Sequence, residues 1–118
     1  TVLDTVHVNG KLTTGENVSY LGGLAMSHSA LQRALAGRPQ PGIDGFTPEQ
    51  RFFLSYARLW RQLVRPAEAV RRINTDPHSP GIWRVMGPLS NLPEYERAFG
   101  CDGEGTMMRP ESERVRIW

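Results

Sequence analysis

The sequence predicts a mainly α-helical fold in a single domain, with one or two short extended segments. Three observations lead to this prediction. Apolar residues recur at three- and four-residue steps along two long stretches, helix-capping residues stand where these stretches begin, and Pro- and Gly-rich segments separate them. With 118 residues, of which 39% are hydrophobic, the chain is long enough for one domain with a modest core.

The first 11 residues are predicted to be extended or irregular. In "TVHVNG", Val6 and Val8 alternate with other residues, and an Asn-Gly pair that favours a tight turn follows them. A helix is expected next. Thr13 or Thr14 is its predicted cap, and Glu16 is expected in its first turn, where the helix dipole favours an anion.

One apolar stripe gives the length of this first helix. Its members recur at helical spacing, and they are Leu21, Leu24, His28, Leu31 and Leu35. Because His28 lies within the stripe, we expect it to be a buried core or interface residue and not a metal ligand. Gly37 is predicted to end the helix.

The strongest helix signal is the stretch "TPEQRFFLSYARLWRQLVR". Thr47 is the predicted cap, Pro48 suits the first helical position, and Gln50 completes a capping box. Large apolar side chains then form a wide face, and they are Phe52, Phe53, Tyr56, Leu59, Trp60 and Leu63. We interpret the aromatic members of this face as core residues.

The segment after this helix contains several prolines. A short helix is predicted through Ala67–Ile73, with Pro66 near its start. "NTDPHSPG" is predicted to be a loop, because each of its prolines restricts the preceding residue. "IWRVM" is short and β-prone, so we expect an extended piece there.

A last short helix is predicted in "SNLPEYERAFG". Asn91 is its expected cap, Glu94 closes a capping box and Gly100 stops the helix. The tail "ERVRIW" is apolar on alternate residues and ends on Trp118, which we interpret as a packing residue. The two long helices together carry more apolar surface than a domain of this size readily encloses, so a partner segment or self-association is expected.

Composition excludes several classes of function. The net charge is only +2, and acidic residues nearly balance basic ones, which argues against a nucleic-acid partner. Cys101 is the single cysteine, so an internal disulfide and a cysteine-based zinc site are both excluded. The three histidines are scattered, and there is neither an HExxH motif nor an apolar run long enough to cross a membrane.

Several motifs resemble those of one peptidase family. "VNGKLTTGENVSYLGGL" resembles the zinc-ligand segment of the neprilysin-like zinc metallopeptidases, which has the pattern V-N-G-K-L-T-x-G-E-N-x-A-D-x-G-G. The resemblance continues in "DGFTPEQRFFLSYARLWR", "TDPHSPGIWRVMGPLSNLPEYERAFG" and "RPESERVRIW", and so covers nearly the whole chain. It implies the C-terminal helical portion of a thermolysin-like (gluzincin) catalytic domain, with residues 1–118 as a single fragment of it.

This resemblance gives Glu16 a role as the third zinc ligand. An isolated glutamate in a first turn would otherwise only complement the helix dipole. A catalytic zinc takes three protein ligands and leaves a position for water. The family's other two ligands and its general base lie in an upstream HExxH segment that this sequence lacks. We therefore expect zinc in the complete enzyme, no zinc bound by this chain alone, and no activity of this chain alone.

Tyr20 departs from the family pattern. The family has an aspartate at this position, one helical turn after the zinc-ligating glutamate, where it accepts a hydrogen bond from a zinc-bound histidine. A tyrosine is neutral and longer, so it does not replace that carboxylate. Loss of activity by natural drift, engineered inactivation and a local rearrangement of the site are the three interpretations of this difference.

Three further site residues follow from the resemblance. His78 matches the family histidine that stabilises the oxyanion of the tetrahedral intermediate. Without the resemblance, it would be interpreted as an ordinary loop histidine. Asp76 either orients the His78 ring or caps the loop. Arg84 matches the arginine that binds a backbone carbonyl of the substrate, and its alternative is an ordinary surface ion pair.

The function implied by the resemblance is therefore zinc-dependent endopeptidase activity on peptide substrates, to which this chain contributes one zinc ligand and contacts to substrate and transition state. The alternative is a non-catalytic peptide-binding or structural module, which the missing HExxH motif and Tyr20 favour. The absence of an initiator Met suggests a fragment or a processed product. The resemblance also suggests a location in the cell envelope, the periplasm or outside the cell.

Overall fold

The computed structural model describes residues 6–101 and 105–117. In this part of the chain the fold consists of helices and loops, and an isolated β-bridge joins Ile43 and Phe46. The helices are α1 (Gly10–Leu35), α2 (Pro48–Leu59), α3 (Pro66–Thr75), α4 (Gly81–Leu89) and α5 (Pro93–Phe99), followed by a 3₁₀ turn at Glu111–Glu113. The prediction of a mainly α fold is confirmed. The first five residues of the predicted extended segment and Trp118 lie outside the described residues.

Helix α1 begins earlier than the sequence predicts. Asn9 is its cap, and the Asn9 side chain accepts a hydrogen bond from the backbone N–H of Leu12 at 3.2 Å. The predicted caps are therefore wrong, since Thr13 and Thr14 lie inside the helix and donate their hydroxyls to backbone carbonyls one turn earlier. The Asn-Gly pair starts a helix instead of forming a turn. As a result the first turn of α1 carries no acidic residue, and Glu16 lies one turn further in.

The capping box predicted for α2 is present. The Thr47 side chain accepts from the backbone N–H of Gln50 at 3.1 Å, and the Gln50 side chain accepts from the backbone N–H of Thr47 at 3.0 Å. The helix ends at Leu59, so the predicted apolar face is shorter than expected. Leu63 lies beyond the helix and is fully exposed.

Two predictions in the C-terminal half are wrong. "IWRVM" lies in α4 and is not extended, because Val85 and Leu89 stand one turn apart and both join the core. Asn91 does not cap α5. Its side chain instead donates to the carbonyl of Gly87 at 2.7 Å and accepts from the backbone N–H of Val115 at 2.7 Å, which attaches the tail to the end of α4.

The C-terminal half also bears out two sequence signals. Helix α3 begins at Pro66, close to the expected start. Gly100 ends α5 with a φ of 64°, a left-handed conformation that favours glycine.

The core lies where α1, α2 and the α4–α5 region meet. Its buried apolar members are Leu21, Leu24, Phe53, Leu89 and Leu92. Phe53 is 1% exposed and contacts Tyr95 edge-to-face at a ring distance of 5.4 Å. His28 is buried at the edge of this core, as its place in the apolar stripe predicts. Among the described residues, no helix is long and apolar enough to span a membrane.

Candidate active site

Glu16 and His78 lie 62 positions apart in the chain but meet in the structure. Glu16 projects from the second turn of α1, and His78 lies in the loop between α3 and α4. The Nε2 atom of His78 is 3.4 Å from the Oε2 atom of Glu16. Both side chains are open to solvent, with exposed fractions of 39% and 40%. The two residues therefore form an accessible carboxylate–imidazole pair.

Asp76 fixes the His78 ring in this position. One carboxylate oxygen of Asp76 accepts the backbone N–H of His78 at 2.9 Å and contacts Nδ1 of its ring at 2.7 Å. The backbone N–H, and then the ring N–H, lower the pKa of the Asp76 carboxyl. Because an ionised carboxylate only accepts hydrogen bonds, Nδ1 carries a proton and Nε2 faces Glu16. Asp76 thus makes both of the contacts that the sequence left as alternatives.

Ser79 attaches this loop to α1, and sequence reasoning missed it. Its hydroxyl donates to the side-chain carbonyl of Asn17 at 2.8 Å, and the residue is only 2% exposed. Asn17 directly follows Glu16, so the bond holds the loop beside the carboxylate. The sequence signal that could have indicated this contact is Asn17 in the "GEN" motif, because a side-chain amide beside a proposed ligand can bind a neighbouring segment.

Arg84 lies at the first turn of α4 and points back toward the same loop. Its Nε donates to the carbonyl of Ser79 at 2.6 Å. The Cζ atom lies 4.6 Å from the ring centre of Trp60 and 5.6 Å from that of Tyr20. Tyr56 donates its hydroxyl to the Arg84 carbonyl at 2.7 Å, and burial raises the pKa of this tyrosine to about 12. The arginine is therefore held through both its side chain and its backbone.

A glycine brings α4 close to the end of α2. A Cβ atom at Gly81 would lie 2.5 Å from the carbonyl oxygen of Trp60, which is far inside van der Waals contact. Gly81 therefore permits the approach that places Arg84 over the Trp60 ring. Beside these residues lies a cavity of about 240 Å³. The segment after α2, helices α3 and α4 and the loop between them line it, and the lining includes Trp60, Ile73, Asp76, His78, Pro80 and Arg84.

Tyr20 makes apolar contacts at this site. Its ring packs edge-to-face on Trp60 at a centroid distance of 5.4 Å and an interplanar angle of 70°. Burial is the main cause of a raised pKa at Tyr20, so the phenol is neutral at physiological pH. The position that carries a carboxylate in the family pattern therefore holds an aromatic surface here.

The residues present fit one part of a zinc site. Glu16 offers an accessible carboxylate oxygen, a ligand type that zinc accepts. Among residues 6–101 and 105–117, no three His, Cys, Asp or Glu side chains converge as a metal-binding group. The remaining ligands of a three-ligand set are therefore not supplied by the described residues.

Fold and sequence comparison define the class of protein. The structure of a Mycobacterium tuberculosis zinc metalloprotease, Zmp1, in complex with an inhibitor superposes with a TM-score of 0.93 and 41% identity, over 99% of this chain and 18% of that chain. The helices thus form the helical portion of a thermolysin-like zinc-peptidase fold, as the resemblance implied. The profile of Peptidase family M13 matches residues 1–115, and the chain belongs to this neprilysin family.

Individual relatives agree with this assignment. Neprilysin-2 of Caenorhabditis elegans is 40% identical over 99% of this chain and 16% of its own length. The mouse (Mus musculus) membrane metallo-endopeptidase-like 1 is 44% identical over 98% of this chain and 15% of its own length. This chain therefore spans less than a fifth of the relatives that it matches.

Proposed function

We propose that this chain is the C-terminal part of a zinc-dependent endopeptidase that hydrolyses peptide bonds, and that it is inactive alone. The observation that carries the proposal is that Glu16 lies against His78, while His78 and Arg84 line the same cavity. A carboxylate, an imidazole N–H and a guanidinium are the groups that metal-assisted peptide hydrolysis uses. The M13 relationship supports the same reaction.

Glu16 is the proposed zinc ligand of this chain. Its carboxylate lies on a regular helix and is accessible, so a second segment can approach it. The upstream HExxH-bearing part of the same protein supplies the other ligands and the general base in this proposal. When bound, zinc would lower the pKa of a water molecule and polarise the scissile carbonyl.

His78 and Arg84 act on the substrate in this proposal. Asp76 holds Nδ1–H of His78, and the protonated imidazolium form donates its Nε2–H to the developing oxyanion. Such a donor is effective because it is already oriented before the reaction begins. Arg84 donates to a backbone carbonyl of the peptide, which positions the substrate along the cavity.

An exposed groove between α1 and α2 is the proposed docking surface for the upstream part. It encloses about 640 Å³ and is lined largely by apolar side chains, including Tyr20, Leu24, Leu31, Phe52, Tyr56 and Leu59. Relatives are several times longer than this chain, and we propose that part of the additional length covers the groove. In the isolated chain, the same groove is expected to favour self-association.

The cellular location is proposed from the relatives. The mouse relative carries the word "membrane" in its name, and we propose that the complete protein acts in the cell envelope, the periplasm or outside the cell.

The alternative is a pseudopeptidase that keeps the fold and a peptide groove. One observation favours it, namely that Tyr20 presents a neutral ring where the family pattern has a carboxylate. A protein that carries HExxH and binds zinc, yet cleaves no peptide in a broad library, would support this alternative.

The deciding experiment starts with the intact mass and coding context of the native product, which will show an HExxH segment if the proposal holds. Zinc content and peptide hydrolysis are then measured in that protein and in Glu16→Gln. We expect the substitution to remove stoichiometric zinc and activity together. Glu111→Gln, an exposed acid in the 3₁₀ turn, is the matched control and is expected to keep both. Zinc-dependent cleavage by the 118-residue chain alone would contradict the proposal.

A further inference from the structure

Two aromatic rings, which also contact each other, lie against the guanidinium of Arg84. The Trp60 ring lies 4.6 Å from Cζ and the Tyr20 ring lies 5.6 Å from it, both within the range of cation–π attraction. The rings also contact each other edge-to-face, at 5.4 Å. Tyr20 comes from α1 and Trp60 from the end of α2, so the guanidinium lies where three elements meet.

The contact leaves hydrogen-bonding capacity on the arginine. Among residues 6–101 and 105–117, Arg84 forms no salt bridge with a carboxylate, and the hydrogen bond of its side chain runs from Nε to Ser79. A ring face attracts a cation without accepting its N–H groups through lone pairs, whereas a carboxylate binds the guanidinium fork directly. The terminal Nη groups can therefore serve another acceptor.

We infer that Tyr20 is a positioning residue for Arg84, forming with Trp60 an aromatic clamp that holds the guanidinium beside the cavity with its Nη donors available to a peptide carbonyl. The substrate role of Arg84 rests on the proposed function, while the clamp itself rests on the ring contacts. In this proposal, the Tyr20 ring orients the substrate-binding arginine, whereas the family pattern has a carboxylate at this position.

The first test needs only the 118-residue chain. Hydrogen exchange of the Arg84 Nε–H, which is bonded to Ser79, is measured by NMR in wild type, Tyr20→Phe and Tyr20→Leu. We expect Tyr20→Leu to speed exchange by about 2- to 30-fold, the range that corresponds to the loss of one cation–π contact. Tyr20→Phe keeps the ring and is expected to stay within about twofold of wild type. The Nε–H of Arg97 in α5 serves as the unaffected reference.

Two results would overturn the clamp. Unchanged Arg84 exchange in Tyr20→Leu would mean that the ring contact contributes nothing. An equal acceleration in Tyr20→Phe and Tyr20→Leu would assign the effect to the hydroxyl and not to the ring. If Tyr20→Leu fails to fold, Tyr20→Met replaces it with a flexible side chain of similar length and the same expected acceleration.

The second test uses the longer peptidase that contains this chain. Tyr20→Leu should raise KM by about 2- to 30-fold with a smaller change in kcat. Tyr20→Phe, which keeps the ring, should have a KM close to that of wild type. In an Arg84→Met background, Tyr20→Leu should add less than about twofold, because the two residues act through one contact. Full additivity in this double-mutant cycle would contradict the inference.

The two tests separate the two proposals. If Arg84→Met leaves KM unchanged, the substrate role of Arg84 fails, yet the exchange measurement still decides the clamp. If Arg84→Met raises KM while Tyr20→Leu changes neither KM nor exchange, the proposed function stands and the clamp is wrong.

Discussion

Helix α1 carries two histidine–carboxylate pairs that have the same chemistry and different surroundings. Near its C-terminal end, His28 contacts Glu49 of α2 with an Nε2–Oε1 distance of 2.7 Å. Near its N-terminal end, Glu16 contacts His78 with an Oε2–Nε2 distance of 3.4 Å. The first pair joins two helices, and the second lies at the candidate active site.

The His28 pair is built into the core. The His28 ring stacks on Phe53 with a centroid distance of 5.7 Å and an interplanar angle of 15°, and it meets Phe52 edge-to-face. Glu49 also accepts a hydrogen bond from Gln32 at 2.9 Å. The imidazole of this pair is only 9% exposed, because Phe53 stacks on it and Phe52 packs edge-to-face, whereas Glu49 stays partly solvated.

In the His78 pair, both side chains are accessible to solvent. Its histidine is held from behind by Asp76, and no aromatic ring lies against the imidazole among the described residues. The longer distance to Glu16 means that the two groups lie close without a short hydrogen bond joining them. The comparison teaches that burial and the remaining partners, and not the residue types, separate a structural pair from a candidate site.

The largest expected effect concerns the Glu16–His78 pair at the candidate active site, which we call the site pair. In the longer peptidase, His78→Gln should lower kcat by about 10²- to 10³-fold, the usual cost of removing one oxyanion donor. The unfolding free energy of the 118-residue chain should change by less than about 0.5 kcal/mol, since His78 is partly exposed. Steady-state kinetics and urea unfolding provide the two measurements. A kcat within about threefold of wild type would place His78 outside the chemistry.

The next effect concerns the close approach that supports the site. Gly81→Ala should lower the unfolding free energy by about 1–3 kcal/mol, because its Cβ would press on the Trp60 carbonyl. Gly87→Ala in the same helix is the matched control, since nothing lies within 4 Å of its Cβ and alanine favours a helix. Urea unfolding of both variants measures the difference. Equal stability of the two would mean that α4 moves away from α2 without cost.

For the His28–Glu49 pair in the core, we expect the reverse pattern, which is a change in stability with little change in kcat. His28→Leu should lower the unfolding free energy by about 1 kcal/mol, because Glu49 loses a donor but remains partly solvated. In the longer peptidase, kcat should stay within about twofold of wild type. A large loss of kcat at unchanged stability would reverse the assignment of the two pairs.

Two local signals in the sequence predicted local structure correctly. The Thr47 capping box and the glycine stop at Gly100 involve only neighbouring residues, and both are confirmed. The start of α1 was missed because Asn9 competes with two later threonines and its side chain reaches the free N–H of Leu12. Several good caps in succession leave a helix start undetermined by sequence alone.

Contacts between residues far apart in the sequence cannot be predicted from local sequence patterns. Helix α4 was predicted as extended because "IWRVM" is rich in residues that favour strands, while its packing against the core decides for a helix. The Ser79–Asn17 bond and the Gly81–Trp60 approach carry no periodic signal. Glu16, His78 and Arg84 were proposed together through family resemblance, and their roles remain proposals.

The smallest predicted effect concerns the group that holds the site histidine. The Asp76 pKa is lowered by hydrogen bonds from His78, first from its backbone N–H and then from its ring. A carboxyl with a lowered folded-state pKa stabilises the fold above its unfolded pKa of about 3.9, and this contribution is lost as pH falls through the folded pKa. The unfolding free energy of Asp76→Asn should therefore fall less steeply below about pH 4 than that of wild type.

A direct measurement can separate the two hydrogen bonds. The Asp76 carboxyl is titrated by NMR in the 118-residue chain and in His78→Gln, which removes the ring but keeps the backbone N–H. Because the backbone contact is the larger cause, we expect the pKa of Asp76 to rise only part of the way to its ordinary value in the variant. A complete return would mean that the ring holds the loop, whereas no rise would mean that Asp76 caps the loop without orienting His78. Among residues 6–101 and 105–117, the His28 pair has no comparable carboxylate behind its histidine, so this titration tests the feature that sets the site pair apart.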